Sequence, residues 1–310
     1  MDSQNRPLEN EADQILITAL AHRNAGQQVN TVDLPYRLAS WALDDPQNTS
    51  LWFSADGKLL AWAIMQTPFW TIDLATDPAA EQELMPQVLA WAGHRALEIL
   101  PTRFGRAVWY TPVEEDQMQR RALVEQAGFS FDPAATENNW TKVFMSRSAW
   151  LGVDEYPLPH GFVIRPLKGM DEVPAYVKLH QSVFDTRNMT VGWRERTMEC
   201  PAHHPELDLV IESPEGELVA FCIAWLDEAT RTAQIEPLGS RKNFRRFALG
   251  RVILAHMLKK LQGYGLDQVV VETDLYRNTA HLLYQSLGFE DVHKVLMYSR
   301  KVEAVERSGS

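Results

Sequence analysis

Cysteine is scarce in this 310-residue chain, which contains only Cys200 and Cys222. Two cysteines so far apart form neither a disulfide framework nor a CxxC zinc motif, so the sequence predicts a protein of a reducing compartment. Long apolar runs are missing too, since no stretch approaches 18 uninterrupted apolar residues. The polar, acidic N-terminus lacks the basic and apolar regions of a signal peptide. We therefore expect a cytoplasmic protein that does not contact a membrane.

Positive charge is also in short supply, because 30 Lys and Arg residues face 41 Asp and Glu residues, for a formal net charge of −11. Binding of nucleic acids requires a basic face, so this balance argues against a nucleic-acid partner. A cationic small substrate fits the charge better, although net charge does not identify a ligand. The remaining composition, 45% hydrophobic and 23% charged, is typical of a globular chain long enough for two domains.

Two halves of the chain resemble each other. WFSADGKLLAWA (52–63) and IESPEGELVAFC (211–222) each consist of a strand, an acidic-Gly turn and an apolar strand, which is the pattern of a β-hairpin. The two turns lie 159 positions apart, and the later motifs RALVEQAGF and AHLLYQSLGF lie 160 apart. Each half then finishes in a similar strand, TKVFMSRS or HKVLMYSRK. Matches at nearly one offset indicate a tandem repeat.

The boundary between the halves is predicted in the turn-rich segment LGVDEYPLP (151–159), which gives domains 1–150 and 151–310. The second half alternates strands with helices, and this pattern predicts an α/β fold with a mixed sheet between helices. One long amphipathic helix is expected from near Arg246 until Gly263 and Gly265 stop it.

Five basic residues lie in RKNFRRFALGR (241–251), where a predicted strand leads into that helix. The N-terminus of a helix has unpaired N–H groups and the positive end of the dipole, so it is a natural anion site. Ala248 and Gly250 are small enough to let a phosphate approach, and nearby arginines add charge. The alternative interpretation is a solvated basic surface.

A strand, then RRFALG opening a helix, a buried strand and RNTAHLLYQSLGF together resemble the GCN5-related N-acetyltransferase (GNAT) family. The family motif is Gln or Arg followed by x-x-G-x-G/A, with Ala248 here in place of its first glycine. The resemblance covers about residues 163–300 and extends to tandem acetyltransferases such as mycothiol-synthase-like proteins. It implies two tandem GNAT-like domains, each with a mixed, mostly antiparallel sheet, and acetyl-CoA as co-substrate. The residues that it implies for binding acetyl-CoA are Leu238, Arg245, Arg246, Phe247, Ala248, Leu249, Gly250, Arg251 and Asn278.

The first copy lacks these groups. The offset aligns residues 241–251 with QELMPQVLAWA (82–92), which has no basic residue and no glycine, and it aligns Tyr284 with Val124. We therefore expect the first copy to have the same fold without the phosphate loop.

Acyl transfer to an amine needs a base, donors to the oxyanion and an acid for the leaving thiolate. The resemblance assigns Tyr284 as the acid and Glu236 as the base, and it places the Leu238 backbone at the thioester. Tyr284 could instead be a core residue, Asn278 a helix N-cap, and Glu236 a salt-bridged strand residue paired with Arg241 or Arg245.

His203 and His204 are adjacent and have no further ligand at a suitable spacing, so we expect no metal site and place both in a surface loop beside the acceptor pocket. Trp193 could line that pocket or pack in the core. The sequence favours an N-acetyltransferase acting on a primary amine of a small molecule or peptide, as a monomer or homodimer. The alternative is a non-catalytic acyl-CoA-binding regulatory or interaction module.

Overall fold

The computed structural model describes residues 4–23, 31–133 and 141–302, and these residues form two compact units. The first unit comprises residues 1–31, 40–142 and 294–310, and the second comprises residues 32–39 and 143–293. The segment FDPAATENNW (131–140) precedes the last strand of the first copy and has no counterpart of that length in the second copy, and part of it lies outside the described residues.

The first unit is a sheet with helices packed on it, in the strand order β1-β2-β3-β4-β5-β12. All its neighbouring strands are antiparallel except β4 and β5, which pair in parallel. Its elements are β1 (Gln4–Arg6), α1 (Glu11–Arg23), β2 (Thr49–Phe53), β3 (Leu59–Gln66), β4 (Thr71–Thr76), α3 (Glu81–Ile99), β5 (Val108–Glu114), α4 (Met118–Gln126) and most of β12 (Glu290–Lys301).

The second unit has the strand order β6-β11-β10-β9-β8-β7, and its parallel pair is β10 with β11. The pairs β7–β8, β8–β9 and β9–β10 are antiparallel. Its elements are α2 (Leu34–Leu38), β6 (Lys142–Ser148), β7 (Val163–Pro166), α5 (Val173–Phe184), α6 (Val191–Glu199), β8 (Asp208–Glu212), β9 (Leu218–Asp227), β10 (Thr232–Ser240), α7 (Leu249–Leu261), β11 (Gln268–Asp274) and α8 (Asn278–Gln285).

The tandem repeat predicted from the sequence is confirmed by the order of these elements. In the first copy the hairpin β2–β3 precedes β4, α3, β5 and α4, and in the second copy the hairpin β8–β9 precedes β10, α7, β11 and α8. Each hairpin turns at a glycine with positive φ, 82° at Gly57 and 80° at Gly216, a conformation that glycine adopts without steric cost. Both copies therefore have the same mixed α/β topology, as expected.

The compact units do not follow the predicted boundary at residues 150 and 151. The last strand of the first copy, β6, belongs to the second unit from Val143 onward, and the last strand of the second copy, β12, belongs to the first unit from Lys294 onward. The N-terminal segment Val32–Ala39 also belongs to the second unit. The sequence pattern gives strands and helices but not their partners, so this exchange could not be seen in it.

Each unit has its own apolar core. In the second unit the core includes the buried face of α7, with Ile253, Leu254 and Met257 fully buried against β8, β9 and β10. In the first unit α3 packs in the same way, with Met85 and Leu89 fully buried. Among the helices of the described ranges, none has the length and apolar character needed to cross a bilayer.

Candidate functional site

A gap opens between β10 and β11 in the second unit. These parallel strands pair only from Thr232 to Gln234 and from Gln268 to Val270, whereas β10 continues along β9 to Ser240. In the described part of the chain, β10 therefore has no pairing with β11 beyond Gln234, and this edge of β10 is left open. Such an unpaired strand edge can bind the backbone amides of an extended ligand.

A β-bulge lies at the start of this gap. The register with β9 shifts between Ile235 and Leu238, so that two residues of β10, Glu236 and Pro237, stand against one residue of β9. Bulges bend a strand and redirect its side chains, and proline removes one ladder donor. The indole N–H of Trp225 donates to the carbonyl oxygen of Glu236 at 2.8 Å and fixes the bulge. Pro237 therefore interrupts the regular pairing beside Glu236.

The N-terminus of α7 follows β10, but the helix begins at Leu249 rather than near Arg246 as predicted. Residues Lys242–Phe247 are wound as a 3-10 helix, and Ala248 between the two helices is left-handed, with φ 51° and ψ 31°. The amides of Ala248 and Arg251 donate to the carbonyls of Arg245 and Ala248 at 3.0 and 2.9 Å. The first-turn amides of Leu249 and Gly250 have no acceptor within the helix, so they are the donors best placed for an anion.

The basic side chains of this loop divide into two groups. Arg245 and Arg246 are exposed beside the start of α7. Arg241 instead pairs with Glu217 at 3.0 Å, and the guanidinium of Arg251 lies 5.6 Å from the ring centre of Tyr156. Lys242, the fifth basic residue of the loop, is exposed as well. The positive charge available to a phosphate at the helix N-terminus therefore comes from these exposed residues rather than from Arg241.

Three tyrosines lie close enough to Glu236 for its charge to act on them. Burial first, and then the negative charge of Glu236, hold the pKa of Tyr284 and of Tyr36 well above the ordinary value. Burial is also the main cause that raises the pKa of Tyr176, and Glu236 contributes there too. All three phenols are therefore protonated at neutral pH and can donate a proton or a hydrogen bond.

Tyr284 lies on α8, is 7% exposed and packs edge-on against Phe289 at a centroid distance of 5.6 Å. It belongs to the core cluster of the second unit, so the packing role considered for it is real. Its hydroxyl, however, makes no hydrogen bond to another residue in the described ranges. A phenol that packs by its ring and keeps its hydroxyl unbonded has a donor left for a ligand.

Asn278 is placed differently from its alternative interpretation. Asn278 is the first residue of α8 and the N-cap is Arg277, so the interpretation of Asn278 as an N-cap is wrong. Arg277 forms an ion pair with Asp274 at 2.8 Å. Leu238 is partly buried on β10, opposite Cys222 of β9, and Phe247 packs against the same core.

His203 lies in a loop as predicted, but the expectation that its side chain is at the surface is wrong, because the side chain is 4% exposed and lies 2.9 Å from a carboxylate oxygen of Asp208. Asp208 also pairs with the buried Arg194. Burial alone would raise the pKa of Asp208, but the charge of Arg194 and the bond from His203 lower it overall. His204 is about one-third exposed, as a loop residue should be. Trp193 is 1% exposed and packs in the interior.

Sequence reasoning missed Tyr36 and Tyr176. Tyr176 lies on α5 at a spacing that is typical of the buried face of a helix. Tyr36 lies in the other copy of the repeat, 200 positions before Glu236. Their only sequence signal is the aromatic and polar character of YRLASW and AYVKLH, which is common in cores.

The first copy carries different groups at the equivalent position. Residues 82–92 lie inside the continuous helix α3, whose first turn contains Glu81 and Glu83. Glu81 pairs with Arg120 of α4 at 2.5 Å, so a carboxylate already occupies the N-terminus of this helix. Val124, at the position of Tyr284, is buried.

Comparisons with known proteins agree with this geometry. Residues 175–289 match the model of the Acetyltransferase (GNAT) family. The mycothiol acetyltransferase of Streptomyces coelicolor is 23% identical over 151 residues, which cover 48% of this chain and 49% of the relative. The alignment therefore spans about half the length of that relative.

Solved structures extend the likeness of fold to the whole chain. A GCN5-related N-acetyltransferase from Sphaerobacter thermophilus superposes with a TM-score of 0.66 at 16% identity, covering 97% of this chain and 96% of that one. A tandem GNAT protein from the clavulanic acid biosynthesis pathway gives a TM-score of 0.66 at 13% identity, covering 98% and 100%. The chain thus has the fold of tandem GNAT proteins along its length, and its residues 175–289 match the model of the Acetyltransferase (GNAT) family.

Proposed function

We propose that the protein is an N-acetyltransferase that moves an acetyl group from acetyl-CoA to a primary amine at a single site in the second copy. The observation that carries this proposal is the bulge with Glu236 in the stretch of β10 that β11 leaves unpaired. The charge of Glu236 also acts on the phenol of Tyr284 and raises its pKa. The N-terminus of α7, with the amides of Leu249 and Gly250 and the guanidinium groups of Arg245 and Arg246, follows directly in the chain and suits a pyrophosphate.

Glu236 is the proposed base. An amine must lose a proton to become a nucleophile, and a partly buried carboxylate beside the reacting groups can accept it. As the neutral nitrogen attacks the thioester carbonyl, the N–C bond forms and the C–S bond breaks. The nitrogen then loses its second proton, which restores the phenol of Tyr284 after that phenol has protonated the thiolate, so one proton in total remains on Glu236. The backbone of Leu238, on the edge of β10 that faces the gap, is the proposed donor to the developing oxyanion.

Tyr284 is the proposed acid, which gives its proton to the departing thiolate of coenzyme A. Burial and the nearby carboxylate raise its pKa and so keep the phenol protonated until the thiolate forms. Asn278, exposed at the start of the same helix, is a proposed contact for the pantetheine arm. The acceptor is a primary amine of a small molecule or peptide.

A second candidate function is a non-catalytic acyl-CoA-binding module. Ala248 favours it, because this residue adopts the left-handed conformation that costs about 1–2 kcal/mol for a residue other than glycine.

Release of free thiol from acetyl-CoA, measured across a panel of small amines and peptides, separates the two functions. The enzyme releases thiol in an amine-dependent manner, whereas the binding module binds acetyl-CoA with no amine-dependent release. Calorimetry with coenzyme A should give one site per chain, because the first copy has Glu81 at the equivalent helix N-terminus. Two equivalent sites would contradict the proposal.

A further inference from the structure

The segment Val32–Ala39 comes from the N-terminal half of the sequence but belongs to the second unit. Two side chains of α6 hold it there through its backbone. The indole N–H of Trp193 donates to the carbonyl oxygen of Tyr36 at 3.1 Å, and Nε of Arg196 donates to that of Ala39 at 2.9 Å. Both bonds join positions 157 residues apart. The segment is therefore an integral part of the second unit.

Tyr36 connects this segment with the bulge that carries Glu236. Its ring stacks on Trp193 at a centroid distance of 5.1 Å and lies 6.1 Å from the ring of Trp225. Trp225 in turn donates its indole N–H to the Glu236 carbonyl. Glu236 is also the largest charge effect on Tyr36 after burial, and it raises the pKa of this phenol. These observations place the Tyr36 side chain beside the proposed base.

Polar groups near Glu236 are left without protein partners. Tyr176 is 0% exposed, and its hydroxyl is buried without a hydrogen-bond partner among the residues that the structure describes. Tyr36 is 3% exposed, and its hydroxyl forms no hydrogen bond with another residue of those ranges. The Tyr176 ring is held by the guanidinium of Arg194, 4.0 Å from its centre. A buried hydroxyl without a partner costs roughly 1–3 kcal/mol, so groups of this kind are typical of sites that bind a polar ligand.

We propose that Tyr36 and Tyr176 position the acceptor amine beside Glu236, so that a residue from the N-terminal half completes the site of the second copy. This inference rests on the proposed function. A primary ammonium has three N–H donors; the carboxylate of Glu236 accepts one, and the phenol oxygens of Tyr36 and Tyr176 accept the others. The ligand class is a primary alkylammonium.

The inference also gives the first copy a role. It has no phosphate loop of its own, yet the segment Val32–Ala39, which lies ahead of its hairpin, supplies Tyr36. Loss of that segment would remove one wall of the acceptor site without altering the residues proposed to bind acetyl-CoA.

The test compares Tyr36→Phe and Tyr176→Phe with the wild-type full chain. Each change removes a hydroxyl that has no protein partner and keeps the ring, so the melting temperature should not fall. The panel comprises 1,4-diaminobutane, glucosamine and a tripeptide with a free N-terminus. KM for the best panel amine should rise roughly 10- to 100-fold, as expected for loss of a hydrogen bond to a charged group, while KM for acetyl-CoA stays constant. Tyr264→Phe is the matched control, because this hydroxyl lies in the same unit and donates to Glu206 at 2.8 Å.

Calorimetric titration of the same amines in the presence of coenzyme A provides a readout without turnover. Binding that weakens in Tyr36→Phe, with no thiol release by the wild type, would support the ammonium site and remove the proposed enzymatic function. Thiol release with an unchanged amine KM in both Phe variants would overturn the positioning role and leave the enzyme in place. The inference also fails if the wild type neither binds nor acetylates any amine of the panel.

Discussion

At the scale of single residues, Tyr284 combines packing and chemistry in one side chain. Its ring belongs to the core of the second unit and contacts Phe289, whereas its hydroxyl has no hydrogen-bond partner in the described part of the chain. The two interpretations that the sequence allowed, core residue and general acid, therefore concern different atoms of the same residue. The hydroxyl alone distinguishes them.

Tyr284→Phe should reduce kcat by about 10²- to 10⁴-fold, the usual contribution of a general acid, and leave the affinity for acetyl-CoA unchanged. Stability should also be unchanged, because the removed hydroxyl has no protein partner to leave unsatisfied. Melting temperature, acetyl-CoA affinity and kcat measured on one preparation test this directly. A normal kcat with a lowered melting temperature would return Tyr284 to a purely structural role.

His180 makes the second unit sensitive to acid. It is 6% exposed, stacks on Phe221 at a centroid distance of 5.6 Å, and burial followed by the charge of Arg194 lowers its pKa from 6.5 to about 3. The unfolded chain therefore binds a proton between pH 6.5 and 3 that the folded chain does not. The stability that neutral His180 contributes is fully present above pH 6.5 and decreases as the pH falls through this window.

The melting temperature should therefore decrease more steeply with acid in the wild type than in His180→Phe, which keeps an aromatic ring among Tyr176, Phe184 and Phe221. One such group changes the free energy of unfolding by roughly 1.4 kcal/mol per pH unit inside the window. Melting curves from pH 7 to 4 on both proteins measure the difference. Parallel curves would show that His180 does not set the acid sensitivity.

Individual site residues differ in how far the sequence reveals them. The loop 241–251 has a local pattern, because a strand, small residues and a helix start must follow each other for a phosphate to bind. Glu236 and Tyr284 are found in the sequence only through the resemblance to the GNAT family. Tyr36 has no such pattern, since its neighbourhood with Glu236 exists only after the chain has folded. In the sequence, Tyr36 is therefore indistinguishable from any other aromatic residue.

At the scale of elements, the site depends on close packing of β10 against α5 and β9. A Cβ atom added at Gly239 would lie 2.5 Å from Cγ1 of Val183 and 2.7 Å from Cζ of Phe221. Real side chains do not approach this closely, so only glycine lets this part of β10 lie against α5 and β9. The same strand carries Glu236 and leads into the loop before α7.

Gly239→Ala should destabilise the protein by about 1–3 kcal/mol, the usual cost of overpacking, and weaken coenzyme A binding because β10 must shift. Gly263→Ala is the control, since its added Cβ meets no atom within 4 Å. Chemical denaturation and coenzyme A titration of both variants provide the measurement. Equal stability of the two variants would mean that Val183 and Phe221 move aside without cost.

The start of α7 shows why boundaries are harder to predict than elements. The basic residues at 245 and 246 fit either helix type, and the periodic apolar residues that identify α7 begin only at Leu249. The 3-10 winding of residues 242–247 and the left-handed Ala248 follow from the path that the loop must take after β10. That path is set by tertiary packing, which local propensity does not record.

At the scale of the whole molecule, the sequence predicts the tandem repeat but does not predict that β6 and β12 are exchanged between the two units. Two motif pairs at offsets of 159 and 160 were sufficient for the repeat, and the element order agrees with them. The strand motifs TKVFMSRS and HKVLMYSRK are so alike that either can complete the sheet of either copy. Their similarity explains why the sequence cannot assign β6 and β12 to a unit.

We therefore expect that a fragment obtained by cutting the chain after residue 150 does not fold stably on its own. A fragment of residues 151–310 lacks Val32–Ala39 and the part of β6 that belongs to the second unit, including the fully buried core residue Met145. It leaves the edge of β11 unpaired and removes Tyr36 from the stack with Trp193, so we expect aggregation or a melting transition without cooperativity. Co-expression with residues 1–150 should restore a cooperative transition and coenzyme A binding, because those residues supply both segments. A 151–310 fragment that melts cooperatively and binds coenzyme A as tightly as the full chain would show that the exchanged segments are dispensable for the second unit.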